Sequence, residues 1–328
     1  MFDTPILYLV FNRPYETSQS FEILRKLRPS KLYVAADGPR IQRQDDITNT
    51  KKVRKIVTGI DWPCEVKTLF RNENLGCRRA LESSLDWFFE FEEDGIILED
   101  DILPNEAFFN YCTLMLDKYR QNLNIFSING CSVGFQSPTS YGLTRYFNMW
   151  GWATWKRSHD LVKTSWNSFN PGIELEKDIS IKSGLHLPVT NASNKKWLIY
   201  WVNLFKAVYQ GNVDTWDYQW MYTALKNNLF CIRPSENYVI NIGFGEMATH
   251  HKFTKSPICN LRYTSASYSY SKIFNPKVDY RYEINYVGNI VNDNNLLTWK
   301  DSAKEILPHF IRKKIGLTID KFKKNKFK

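Results

Sequence analysis

The sequence predicts an α/β protein built on a mainly parallel sheet flanked by helices, and three observations predict it. Apolar runs of strand length alternate with segments of helical periodicity through the first third of the chain. Within the runs the apolar residues are consecutive and not alternate, as in strands buried on both faces. Several runs end in Asp, Asn or Gly: Asp37-Gly38, Asn129-Gly130 and, most heavily, Glu99-Asp100-Asp101. In open α/β sheets the carboxyl ends of the strands are where ligands bind.

Taken in order, Pro5 to Phe11 reads as the first strand, followed by the turn Asn12-Arg13-Pro14. Thr17, Phe21, Leu24 and Leu27 then recur at helical spacing until Pro29 stops them. Lys31 to Ala36 is a second strand, residues 47–58 a helix, and Cys64 to Phe70 a third strand. Ala80, Leu81, Leu85, Trp87 and Phe88 mark a helix that leads into the strand Gly95 to Leu98, and Pro104 begins a helix carrying Phe108, Phe109, Cys112 and Leu116. Ile125 to Ile128 is a further strand. From about Tyr146 the texture changes to a tryptophan-rich stretch, Trp150-Gly151-Trp152-Ala153-Thr154-Trp155, with Trp197, Trp201, Trp216 and Trp220 following. Ile232 to Pro234 and Tyr238 to Ile240 look like short strands, and Gly243-Phe244-Gly245 leads a loop with His250 and His251. Beyond Pro257 periodicity is weak until a helical stretch near Thr298. The expected division is a main α/β domain over 1–255 and an extension over 256–328 that ends in a basic amphipathic helix.

Composition is that of a globular protein: 328 residues, 43% hydrophobic, 24% charged and a high 15% aromatic. The net charge of +10 is segregated, since the ten Lys/Arg and three Asp/Glu from Lys300 onward carry +7 and leave the rest nearly neutral. Leu307, Ile311, Ile315, Ile319 and Phe322 share helical spacing there, with Arg312, Lys313, Lys314, Lys321, Lys323 and Lys324 on the other positions, a pattern expected of a membrane-surface helix. A packed helix with a solvated Lys-rich end is the plainer alternative. Met1 to Pro5 has no basic leader and no run approaches ~18 apolar residues, so neither signal peptide nor membrane span is expected. Six cysteines without a CxxC pair suggest free thiols in a reducing cytoplasm. No GxSxG, HExxH or Walker loop occurs.

The chemistry-bearing candidates follow from these positions. Three carboxylates at the mouth of a buried strand repel one another unless a cation or donors compensate. Asp101 is the best candidate ligand for a hard divalent ion, with His250 a second candidate from its Gly-flanked loop. Asp37 can accept from a base or a ribose, or simply make an Asp-Gly turn. Asn74, in Asn72 to Cys77, sits where a strand gives way to a helix and backbone N–H groups meet anions. Asp217 lies between Trp216 and Tyr218-Gln219-Trp220, a dry setting suited to a general base, with helix capping as the alternative. Trp150, Gly151 and Trp152 can form a sugar-stacking surface or part of the core.

Together, Pro5 to Ser30, Ala36-Asp37-Gly38, Asn74 to Cys77, Ile97 to Asp101, Trp150 to Trp155, Trp216 to Met221, Cys231 to Pro234 and Gly243 to His250 resemble the GT-A-fold glycosyltransferases related to N-acetylglucosaminyltransferase I, in a bacterial branch. The resemblance spans roughly residues 5–251. It implies a Rossmann-like GT-A fold and transfer of a sugar, with inversion, from a UDP-linked donor to a glycan or lipid-linked glycan acceptor, at the cytoplasmic membrane face. By the same resemblance Arg13 and Asp37 hold the nucleotide, Glu99 and Asp100 reach sugar and ribose, Asp101 ligates Mn²⁺ or Mg²⁺, and Asp217 is the base. The chain departs from the pattern of adjacent acids before Trp-Met, because Tyr218 and Gln219 stand there. Two rivals are a nucleotidyltransferase, which shares strand-end carboxylates, and a non-catalytic carbohydrate- or nucleic-acid-binding module. Nucleic acid is not the expected partner, because the basic residues are segregated from the tryptophans.

Overall fold

The computed structural model describes residues 1–137, 139–172, 191–244, 261–263 and 277–291. The first four runs form β1 (Ile6–Val10), β2 (Lys31–Ala36), β3 (Glu65–Phe70) and β4 (Asp94–Glu99). They are joined by α1 (Pro14–Leu27), α2 (Gln44–Val57) and α3 (Cys77–Phe91). Pro14 opens α1, where the missing N–H costs nothing. Arg28 closes it in the left-handed region, donating its N–H to Leu24 O at 2.9 Å. The buried positions of α1 (Thr17, Ser20, Phe21, Leu24) and α3 (Leu81, Ser84, Leu85, Phe88, Phe89) recur at helical spacing and meet the sheet.

A short strand follows, β5 (Ile102–Pro104), so the helix α4 (Glu106–Lys118) starts two residues later than the position of Pro104 suggests; Asn105 caps it through Phe108 N–H at 3.0 Å. Then come β6 (Ile125–Asn129), β7 (Tyr141–Thr144), β8 (Trp152–Trp155), α5 (Lys156–Asn167), α6 (Asn191–Tyr209), α7 (Asp217–Lys226), β9 (Phe230–Pro234), β10 (Val239–Asn241) and α8 (Tyr280–Val291). The main sheet has the order β3-β2-β1-β4-β8-β6-β9-β7. β1 runs parallel to β2 and β4, β2 to β3, and β6 to β9. β8 lies antiparallel between β4 and β6, and β7 antiparallel on the β9 edge. The architecture is therefore α/β with a mostly parallel central sheet flanked by helices, compatible with a Rossmann-like fold. β5 and β10 form a separate antiparallel ribbon, extended by Ile242 N–H to Asp101 O at 2.8 Å. Among the described residues no helix is long and apolar enough to cross a membrane, and the five cysteines there are free thiols. The basic stretch from Leu307 to Lys324 lies outside the described residues.

The expected boundary near residue 255 lies outside the described residues. Residues 277–286 contact the main core: Tyr282 and Tyr286 are buried members of it, and Tyr286 stacks on Tyr146 with centroids 4.7 Å apart. Val278 bridges to Leu143, Asp279 pairs with Arg233, and Glu283 pairs with Arg145. Glu283 Oε1 also accepts from Arg145 N at 2.8 Å. In the first turns of α8 the buried residues are Tyr282, Glu283 and Tyr286.

Arg145 and Glu283 are both buried, so removing one partner strands the other charge. Glu283→Ala is expected to cost about 3–5 kcal/mol of unfolding free energy by urea titration, and Arg145→Met/Glu283→Leu together less than either single change.

Candidate functional site

β1 pairs with β2 on one side and β4 on the other, so the strand order reverses at β1. The crevice of an open α/β sheet lies at that reversal, beyond the carboxyl ends of the strands. Arg13 reaches it from the turn after β1, and Glu99, Asp100 and Asp101 from the end of β4. Arg13 Nη2 lies 2.6 Å from Asp100 Oδ1, and Nη1 lies 2.8 Å from Asp101 Oδ2. The Phe11 N–H donates to Asp100 Oδ2 at 3.3 Å, and Ser20 Oγ donates to Asp100 O at 2.8 Å, which ties the acidic turn to β1 and α1.

Burial pushes the Glu99 carboxyl up to about 8, with the charge of Asp101 adding to it and Arg13 opposing. Burial also raises Asp100, again against Arg13. For Arg13, burial works against the charge, and the Asp100, Asp101 and Glu99 carboxylates outweigh it. The cluster therefore has more negative charge than its one guanidinium balances, and it holds a proton where an isolated carboxylate would not. Gly243, from the loop after β10, lies over it: a Cβ there would fall 2.0 Å from Asp101 Oδ2 and 2.7 Å from Arg13 Nη1. A side chain there would have to displace the Asp101 carboxylate from Arg13.

Asp37, at the end of β2, is buried and already engaged. Its Oδ1 accepts from Gly38 N at 2.9 Å and Leu75 N at 3.0 Å, and its Oδ2 from Asn74 Nδ2 at 2.9 Å. Asp37 and Asn74 are thus brought together as a clamp between the β2 end and the β3–α3 turn. Burial raises Asp37, opposed by the Leu75 and Gly38 N–H groups. The N–H groups of that turn meet the chain's own anions, since Arg78 N donates to Asp214 Oδ1 at 3.3 Å.

Asp217 is the first residue of α7, not its cap: Trp216 holds the cap position, without a side-chain capping bond. Asp217 is 8% exposed and accepts from the Thr215 hydroxyl at Oδ1. Its charge reaches Glu99 and the half-buried Cys77 thiol, which burial first, then Glu99 and Asp217, push upward. The structure therefore brings Arg13, Asp100 and Asp101 into contact at the end of β4, next to Glu99, with Asp217 in electrostatic range of Glu99. Thr215 has no place among the candidates read from the sequence, although it stands only two residues before Asp217.

The expectation of a sugar-contacting surface at Trp150-Gly151-Trp152 is corrected. Trp152 is 0% exposed, packed with Phe147 at 5.0 Å, Trp216 at 5.8 Å and Trp220 at 4.6 Å between ring centroids. Gly151 adopts φ +57 and faces Val239, a turn position that a side chain would crowd. Trp150 is buried edge-on against Phe244, 5.5 Å away, beside the loop that covers Asp101. His250 lies outside the described residues. Among the described residues no three His, Cys, Asp or Glu side chains converge to hold a metal ion. The donors present at the crevice are hard carboxylate oxygens in excess negative charge, a set suited to Mg²⁺ or Mn²⁺ through Asp101 when a bound ligand completes the shell.

A carboxyl raised in the folded chain contributes stability that is full below its ordinary value of 4.5 and lost as pH rises through about 8. Glu99→Gln imitates the protonated form. It should melt with wild type near pH 5 and a few degrees above it at about pH 8.5 in thermal unfolding. An equal gap at both pH values would mean that Glu99 is ionised throughout.

No family model matches the chain, and no curated protein matches it.

Proposed function

We propose that the protein is an inverting glycosyltransferase of GT-A type that takes a nucleotide sugar, UDP-linked, and a glycan or lipid-linked glycan acceptor. The observation that carries the reading is the Arg13-bridged Glu99-Asp100-Asp101 turn at the strand-order reversal, with Asp217 in electrostatic range of it. A site that accepts a nucleoside diphosphate there needs a cationic side chain and a hard-metal ligand next to one another, and Arg13 and Asp101 supply both. A divalent ion held by Asp101 supplies charge neutralisation for the departing diphosphate.

In this reading Arg13 orients the diphosphate, and Glu99 and Asp100 accept hydrogen bonds from ribose and sugar hydroxyls. Asp217 takes the proton of an acceptor hydroxyl as its oxygen attacks the anomeric carbon. The bond from that carbon to the diphosphate breaks, its electron pair leaves with the nucleoside diphosphate, and the configuration inverts. The burial of Trp152, Trp197, Trp201, Trp216 and Trp220 speaks against a lectin-like or base-stacking module, which displays its aromatics.

Incubation with a panel of nucleotide sugars and Mn²⁺ should give slow donor hydrolysis that EDTA removes. Asp101→Ala should abolish it while the chain still folds, and Asp217→Asn should lower acceptor-dependent turnover at least ~10²-fold with little change in donor affinity. Hydrolysis of no donor, or full activity in excess EDTA, would sink the reading.

The basic C-terminal stretch fits peripheral attachment to an anionic membrane surface, at about 1 kcal/mol per Lys or Arg near the lipid. Full-length protein should co-sediment with anionic vesicles at low salt, and a chain ending at Trp299 should not. Equal binding by both would exclude that role.

A further inference from the structure

We infer that Thr215 is a positioning residue for the Asp217 carboxylate, an inference that rests on the reading of Asp217 as the base. Thr215 stands one residue before the cap position of α7, which Trp216 holds without a capping side chain. The Thr215 hydroxyl donates to Asp217 Oδ1, so the carboxylate at the start of the helix has a fixed donor.

The Thr215 side chain is held for that task from several directions. Its carbonyl accepts from Gln219 Nε2 at 2.9 Å, and Gln219 Nε2 in turn lies 3.4 Å from Glu82 Oε1 on α3. The next residue, Trp216, stacks on Trp152 of β8 at 5.8 Å. The preceding residue, Asp214, accepts from Arg78 N in the first turn of α3, and a Cβ on Gly76 would come within 3.1 Å of it. Thr215 itself is 8% exposed, so water competes little for its hydroxyl. The donated bond fixes the plane of the Asp217 carboxylate and favours its ionised form, the form that accepts a proton from an attacking hydroxyl.

The test compares Thr215→Val, which keeps the shape and loses the donor, with Thr215→Ser, which keeps the donor. Acceptor-dependent turnover is measured across pH on the full chain, with donor KM at each point. Thr215→Val should lower kcat about 10-fold or more and move the acid limb of the kcat profile up by about one pH unit, with donor KM unchanged. Thr215→Ser should return both to wild type. If Thr215→Val does not fold, Thr215→Ala makes the same comparison. An unmoved acid limb, or a Ser variant as impaired as Val, overturns the inference and leaves the proposed function standing. A wild-type chain that turns over no nucleotide sugar removes the proposed function, and this inference falls with it.

Discussion

A single guanidinium holds the end of β4 together. Glu99, Asp100 and Asp101 are consecutive, and three carboxylates in a row at a buried strand end repel one another at close range. Arg13 bridges two of them and is itself partly buried, so each charge depends on the others for its compensation. Because Arg13 comes from the turn after β1 and the acids from β4, the bridge also crosses the seam where the strand order reverses.

The loop after β10 depends on this arrangement. Gly243 passes so close to Asp101 and Arg13 that the backbone closes over the ion pair with no side chain between. The ribbon of β5 and β10, and the Ile242 bond to Asp101 O, bring it there. Phe244 then covers Trp150, so the roof of the crevice and the tryptophan-rich stretch meet at one edge.

The sequence and the structure agree where the relevant interactions are local. Strands with consecutive apolar residues, the acidic turn and the α1 spacing are written within a few residues of one another, and each was legible. The Arg13 bridge was not, because 88 residues separate the partners and nothing in Asn12-Arg13-Pro14 marks a carboxylate contact. The start of α8 is hard to read because a buried glutamate, Glu283, sits between Tyr282 and Tyr286, and its burial is favourable only with Arg145 beside it. Trp152 was read as a possible surface because tryptophan suits sugar faces and cores alike, and only its neighbours distinguish the two. The tryptophan flanks single out Asp217 in the sequence, whereas nothing there marks Thr215 as its donor.

The tryptophan cluster gives the site its second fixed coordinate. Trp152 opens β8 and is in register with Ile97 of β4, two residues before Glu99. Its ring carries Trp216, which directly precedes Asp217, and meets Trp220 one helical turn later. The same side chain therefore references the acid end of β4 through the sheet and the Asp217 helix through ring contacts. Interiors this closely packed transmit displacement instead of absorbing it. The separation between the acidic turn and Asp217 is consequently set by the buried aromatic core, and a residue that first looked like a ligand contact works as the spacer between two groups of carboxylates.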